Sequence, residues 1–213
     1  MKKAPSIYMK LLDQITRNGK GKLVFPANFI GMGSNDSIRE ALSRLTREKI
    51  LIRLGQGIYL YPEHDTELGA VYPSIETIAE AIARQDKARI IPTGAQALYK
   101  LRLTTQIPMN LVYLTDGMRR DIKLGKNSIT FRSTTPKKLA TKGKISTLVI
   151  QALQELGKKE VDETVIKKIK KALSKEDLAL LRHDAELAPA WIADLLFSVH
   201  KELNNDRMAE TNR

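Results

Sequence analysis

The side chains best suited to recognition chemistry lie between Asn35 and Arg47, on what the sequence predicts to be the polar face of one helix. Arg39, Ser43 and Arg47 line this face, and Asn35 stands at its start. Guanidinium groups donate paired hydrogen bonds to phosphates and to guanine, while Asn and Ser donate to phosphates and base edges. The pattern therefore indicates a helix that contacts a polyanion.

The element that positions these side chains is an amphipathic helix. Ile38, Ala41, Leu42 and Leu45 follow the spacing i, i+3, i+4, i+7, which predicts one buried apolar stripe. Ser34, Asn35 and Asp36 are all residue types that cap a helix N-terminus, so we expect Asn35 and Ser37 close to a phosphate. Arg44 lies on the flank of the polar face.

The surrounding residues predict the rest of a DNA-binding motif. Pro26 is suited to open a short helix over residues 27–30, and Gly31 and Gly33 interrupt it. Residues 50–53 and 58–61 flank a Gly-Gln-Gly turn and predict a hairpin. This order is typical of a winged helix-turn-helix, and we expect it to bind DNA through nine residues: Ser34, Asn35, Ser37, Arg39, Ser43, Arg44, Arg47, Arg53 and Gln56.

The order of helical and strand patterns along the whole sequence predicts an α+β fold and divides the chain into four segments. Residues 1–62 form the winged helix-turn-helix domain and residues 63–73 a polar linker. Residues 74–203 form an α+β domain, with a small basic middle section and a helical end, and residues 204–213 a frayed tail. Within the helical end, Ser174 and Asp177 resemble a capping box.

The charge distribution favours a polyanionic partner. The chain has 213 residues and a formal net charge of +12, from 36 basic and 24 acidic residues. Residues 144–213 hold 12 of each, so the first two thirds carry the whole excess. Such an excess attracts nucleic acid and accelerates encounter with it. Whether the basic residues of the middle section extend a DNA footprint or bind another polyanion is left open.

Several other classes of protein are disfavoured. The chain contains no cysteine, which excludes disulfides, thiolate zinc sites and cysteine nucleophiles. Its N-terminus lacks the apolar core of a signal peptide, and no apolar run reaches the length of a membrane span. We therefore expect a soluble cytoplasmic protein with no membrane partner.

Two alternatives to a DNA-binding regulator remain. Asp121 and Lys123 fit half of a metal-dependent nuclease motif, with Asp116 as a second ligand, but Asp-x-Lys arises often by chance. The three histidines do not have metal-ligand spacing. We predict no catalytic residue, no metal and no cofactor. The second alternative is a protein-interaction module in which the neutral helical end binds a partner toxin.

Several motifs in shared order resemble a known family. The run GSNDSIREALSRLTREKILIRLGQGIYLYP, preceded by Phe-Pro-x-x-Phe at residues 25–29, resembles the N-terminal winged helix of AbiEi-type antitoxins of type IV toxin–antitoxin systems. The segments IIPTGAQALYKLRLTTQIPMNLVYLTDG, FRSTTPKKLATKG, ISTLVIQALQELGK and LAPAWI are also similar to that family. The resemblance covers roughly residues 5–200.

The resemblance implies a bacterial antitoxin with a role in phage defence. In that family the winged helix binds inverted repeats in double-stranded DNA at the operon's own promoter and represses it. The C-terminal part is linked to antitoxicity. The implied functional partner is a nucleotidyltransferase-type toxin, without stable direct contact between the two proteins.

Overall fold

A computed structural model of the protein describes residues 5–211, and it divides into two compact units. The first unit comprises the described chain up to Asp86 together with Ile122–Ile129. The second comprises Lys87–Asp121 and the chain from Thr130 onward. The architecture is α+β, as the sequence predicts, with helices and three small sheets.

The first unit begins with the element order of a winged helix. It contains α1 (Ile7–Asn18), β1 (Lys22–Val24), a 3₁₀ turn (Pro26–Phe29), α2 (Asn35–Arg47), β2 (Ile52–Gly55) and β3 (Ile58–Tyr61). The strands form an antiparallel sheet in the order β1-β3-β2. Val24 pairs with Tyr59, and Ile52 pairs with Leu60. This arrangement is compatible with a winged helix.

The helix predicted after Pro26 is a single 3₁₀ turn. The Asn28 side chain accepts a hydrogen bond from the Phe25 N–H at 2.8 Å, which closes the turn. Gly31 then adopts a φ of +89°, a left-handed value that ends any helical continuation. Phe29 is the anchor of the turn, since it is almost fully buried in the core that α1 and α2 share.

The core of the first unit lies between α1, α2 and the sheet. Leu11 and Ile15 of α1 pack into one cluster with the apolar stripe of α2, and Leu51 and Tyr59 join it from the sheet side. All four stripe residues of α2 are buried, as predicted: Ile38, Ala41, Leu42 and Leu45. The buried stripe fixes which side of α2 faces outward.

Residues 63–73, predicted to be a polar linker, contain a hairpin of β4 (Glu63–Asp65) and β5 (Gly69–Val71). Its turn is made by Asp65, whose carboxylate accepts hydrogen bonds from the Glu67 and Leu68 N–H groups at 2.8 and 2.9 Å. Both hydrogen bonds lower the pKa of Asp65, and the bond from the Leu68 N–H has the larger effect. The helix α3 (Ile75–Gln85) follows and is capped by Ser74, whose side chain accepts a hydrogen bond from the Thr77 N–H.

The second unit contains a small sheet and a helical cluster. The sheet has four strands in the order β6-β7-β9-β8: β6 (Ile90–Pro92), β7 (Asn110–Thr115), β8 (Arg120–Leu124) and β9 (Asn127–Ser133). The hairpin end of β8 and β9, Ile122–Ile129, belongs to the first unit and is called the β8–β9 tip. The helices are α4 (Gly94–Lys100), α5 (Lys144–Leu156), α6 (Glu163–Leu173), α7 (Leu178–Leu187) and α8 (Ala190–Thr211). Two 3₁₀ turns cover Lys138–Ala140 and Lys158–Glu160.

The last helix extends into the tail that was expected to fray, residues 204–213. The helix α8 continues to Thr211, and residues 212–213 lie outside the described residues. Leu203 packs against the helical core, and the Arg207 guanidinium donates to the Ser174 and Glu176 carbonyls at 3.1 and 2.9 Å, which holds this part of α8.

The predicted capping box of Ser174 and Asp177 is wrong. The cap of α7 is Asp177 itself, whereas Ser174 ends α6.

Candidate nucleic-acid interface

The outward side of α2 carries the side chains that the sequence assigns to recognition. Asn35, Arg39, Ser43 and Arg47 are all exposed, opposite the buried stripe. The helix has 13 residues, so it is about 20 Å long. A helix of this size with an uncovered polar side has the dimensions needed to lie in a DNA major groove.

The two serines at the start of α2 serve its cap. Ser34 accepts a hydrogen bond from the Ser37 N–H at 3.2 Å, and the Ser37 hydroxyl donates to the Ser34 carbonyl at 2.8 Å. Asn35, between them in the chain, is exposed. The partial positive charge of the helix N-terminus adds to the attraction of this end for an anion.

Acidic side chains share the exposed side of α2. Asp36 lies 3.9 Å from the Arg39 guanidinium, and the two side chains are 95% and 72% exposed. Glu40 is exposed on the same helix. An ion pair this long and this open to solvent contributes little to stability. Arg39 can therefore exchange Asp36 for another anion, such as a phosphate, at little cost.

Arg44, predicted to bind DNA, is held by other residues of the protein. Its Nε donates to Glu48 at 2.8 Å, and its guanidinium lies 4.5 Å from the centre of the Tyr8 ring. The Tyr8 hydroxyl donates to the other oxygen of Glu48, which links α1 to the end of α2. These contacts lower the pKa of Glu48, chiefly through the Tyr8 hydrogen bond, and raise that of Arg44 through its bond to Glu48.

The wing is the turn between β2 and β3. Gln56 is exposed in this turn, and Gly57 has a φ of +70°. Arg53 is exposed on β2 opposite Tyr59, and its Nε lies 3.4 Å from the Gly55 carbonyl. The strand β2 starts at Ile52, two residues later than predicted, because the Ile50 and Leu51 N–H groups donate hydrogen bonds to the Leu45 carbonyl.

A second hairpin tip lies against the wing, which the sequence did not indicate. The turn between β8 and β9 belongs to the first unit. A methyl group at Gly55 would lie 3.2 Å from the Lys123 carbonyl and 3.4 Å from the Leu124 side chain. Lys123 and Lys126 are exposed there. No local sequence signal joins two turns that lie about 70 residues apart in the chain.

The carboxylates of the nuclease alternative are occupied in separate contacts. Asp116 accepts hydrogen bonds from the backbone and side chain of Arg89 at 2.7 and 2.9 Å, and both bonds lower the pKa of Asp116. Asp121 accepts a hydrogen bond from the Thr130 hydroxyl at 2.6 Å. Within residues 5–211 no three His, Cys, Asp or Glu side chains are grouped so that they could hold a metal ion.

Comparison with known proteins places the chain in a family. Residues 10–181 match the profile described as a family of unknown function, DUF6088. The chain belongs to DUF6088. This DUF6088 protein is similar to the solved structure titled RV2827C protein from Mycobacterium tuberculosis, with 11% identity and a TM-score of 0.43, over 95% of this chain and 82% of that one. No curated protein matches the sequence.

In the described part of this DUF6088 protein, none of the helices combines the length and apolar character that crossing a membrane requires.

Proposed function

We propose that this DUF6088 protein is a sequence-specific DNA-binding protein that represses the promoter of its own operon. The observation that carries the proposal is the row of exposed donors on α2, next in the chain to an exposed wing. Three of those donors are Arg39, Ser43 and Arg47, which are all exposed opposite the buried stripe. A binding role without catalysis is part of the proposal.

Each predicted site residue has a role in this proposal. Arg39, Ser43 and Arg47 face the major groove, where guanidinium groups read guanine. Asn35 and the N-terminus of α2 bind a phosphate beside the Ser34–Ser37 cap. Arg53 and Gln56 of the wing contact the minor groove or the backbone. Arg44 supports the helix through Tyr8 and Glu48 and is not assigned a base contact.

The more specific role, an antitoxin of a type IV toxin–antitoxin system, rests on the resemblance of the sequence motifs to AbiEi-type antitoxins. It implies inverted repeats as the DNA target and a nucleotidyltransferase-type toxin as the functional partner in a bacterial cytoplasm. The adjacent reading frame provides a simple check, since the proposal expects it to encode such a toxin.

Binding to the DNA upstream of the gene tests the proposal directly. In a gel-shift titration we expect Arg39→Ala and Arg47→Ala each to weaken binding by about 1–3 kcal/mol, because each removes a bidentate base contact. Arg17→Ala is the matched control. Arg17 is an exposed arginine on α1 that pairs with Asp13 one turn away, so we expect its removal to leave binding almost unchanged.

Two results would contradict the proposal. One is wild-type affinity in the Arg39→Ala/Arg47→Ala double variant, which would remove α2 from the contact. The other is magnesium-dependent cleavage of the same duplex that disappears in Asp121→Ala, which would make the protein a nuclease.

A further inference from the structure

Charge is distributed differently on α2 and on the wing. The helix carries three arginines but also Asp36 and Glu40, so its exposed side is of mixed sign. The sequence has no acidic residue between Lys49 and Pro62, or between Ile122 and Pro136. The wing segment carries Lys49 and Arg53, and the β8–β9 tip carries Lys123 and Lys126, with no acidic residue inside either segment. Asp121, directly before the tip, accepts a hydrogen bond from the Thr130 hydroxyl at 2.6 Å.

The β8–β9 tip lies against the wing at Gly55. The Ile122 and Leu124 side chains both approach Gly55, at 3.7 and 3.4 Å from the position of an added methyl group. Residues two apart in a strand share a face, so Lys123 between them projects from the opposite face, where it is exposed. Lys126 is exposed in the turn itself, next to Gly125 with a φ of +61°.

We propose that residues 122–129 form a second wing, a basic hairpin whose Lys123 and Lys126 bind DNA phosphates beside the first wing. The inference rests on the proposed DNA-binding function and extends it to a part of the chain that the winged helix does not include. Lysine provides a point charge rather than a planar reader of bases, so this contact is independent of sequence. The second wing supplies affinity and α2 supplies specificity.

The dependence of affinity on salt measures the phosphate contacts. Removing two phosphate contacts makes the negative slope of log K against log salt concentration shallower by about 1.8. Relative to 1 M salt, this change corresponds to a loss of affinity on the order of 60-fold at 0.1 M salt. We expect this loss in the double variant Lys123→Thr/Lys126→Ser, equally for the gene's own promoter and for an unrelated duplex. Lys158→Ser/Lys159→Ser is the control, because it removes the same charge from exposed lysines of the 3₁₀ turn Lys158–Glu160.

Each outcome decides the inference. If wild-type protein binds duplex DNA and the hairpin variant keeps the wild-type slope, the second wing is wrong. Lys123 then only protects the unpaired edge of β8 against association with other strands. Failure of wild-type protein to bind any duplex would overturn the proposed function instead. Circular dichroism and the urea midpoint verify that the variant is folded.

A second measurement locates the hairpin on the DNA without removing both charges. The chain has no cysteine, so Lys126→Cys places one thiol to which an iron chelate that cleaves nearby DNA can be attached. We expect strand cleavage next to the bases protected by α2, and none from Lys158→Cys. Binding without cleavage from the Lys126→Cys conjugate would overturn the second wing.

Discussion

Neighbouring side chains decide what each arginine of α2 can do. Arg44 has Glu48 one turn ahead and the Tyr8 ring against its guanidinium, so its Nε and one face of the guanidinium are engaged within the protein. Arg39 has a long, exposed contact with Asp36. Two arginines on one helix therefore have different surroundings, because Arg44 meets the Glu48 carboxylate and an aromatic ring from α1, whereas Arg39 is largely exposed to solvent.

The link between Tyr8, Arg44 and Glu48 makes a prediction about stability and pH. The pKa of Glu48 is lower in the folded protein than its ordinary value of 4.5, so ionised Glu48 stabilises the fold above that pH. The contribution is lost as the pH falls through the folded pKa. We expect the urea midpoint of wild type to exceed that of Glu48→Gln at pH 7, and the difference to shrink below about pH 4.5.

Glu40→Gln is the control for this pH dependence, since Glu40 is exposed on the same helix. A constant difference between wild type and Glu48→Gln from pH 7 to pH 3 would show that the carboxylate charge of Glu48 does not stabilise the fold.

The start of α5 shows how one element can depend on distant ones. Its N-cap is Gly143, which has no side chain to cap the helix. The buried Asp184 carboxylate accepts from the Lys142 and Gly143 N–H groups, both at 2.8 Å, and from the Ser146 hydroxyl at 2.5 Å. Glu176 accepts from the Ile145 and Ser146 N–H groups at 2.6 and 3.0 Å. Two carboxylates more than 30 residues away thus replace the local cap.

Removal of one of these carboxylates should destabilise the helical cluster. Asp184→Ala leaves two buried donors, the Gly143 N–H and the Ser146 hydroxyl, and the part-buried Lys142 N–H without their acceptor, which we expect to cost about 3 kcal/mol. Urea unfolding followed by the fluorescence of Trp191, the single tryptophan, measures the effect, because Trp191 packs against the helical core. Asp194→Ala, at an exposed position of α8, should change stability by no more than about 0.5 kcal/mol. Equal effects of the two substitutions would refute the capping role.

Charge is distributed unevenly along the whole chain. The excess positive charge is confined to residues 1–143, whereas residues 144–213 are neutral and helical. A neutral helical segment has no long-range attraction for DNA. This division agrees with the proposal that DNA binding and antitoxicity are carried by different parts of the molecule.

Separable activities are the expected consequence in cells. We predict that Arg39→Ala/Arg47→Ala derepresses a reporter under the gene's own promoter but still protects against the toxin encoded next to it. Asp184→Ala, which disturbs the helical cluster, should lose protection. Simultaneous loss of both activities in the α2 variant, at wild-type protein levels, would show that protection depends on DNA binding.

Local sequence was sufficient for much of this protein. The start of α2, its buried stripe and the serine caps of α1, α2 and α3 were all predictable, because caps and apolar periodicity are decided by residues within one or two turns. The tertiary structure decided the rest. Arg44 is engaged by Tyr8, the end of α8 is held by bonds to Ser174 and Glu176, and the β8–β9 tip lies on Gly55. Each of these contacts joins residues more than 30 positions apart, and such pairings depend on how the elements pack rather than on any pattern along the chain.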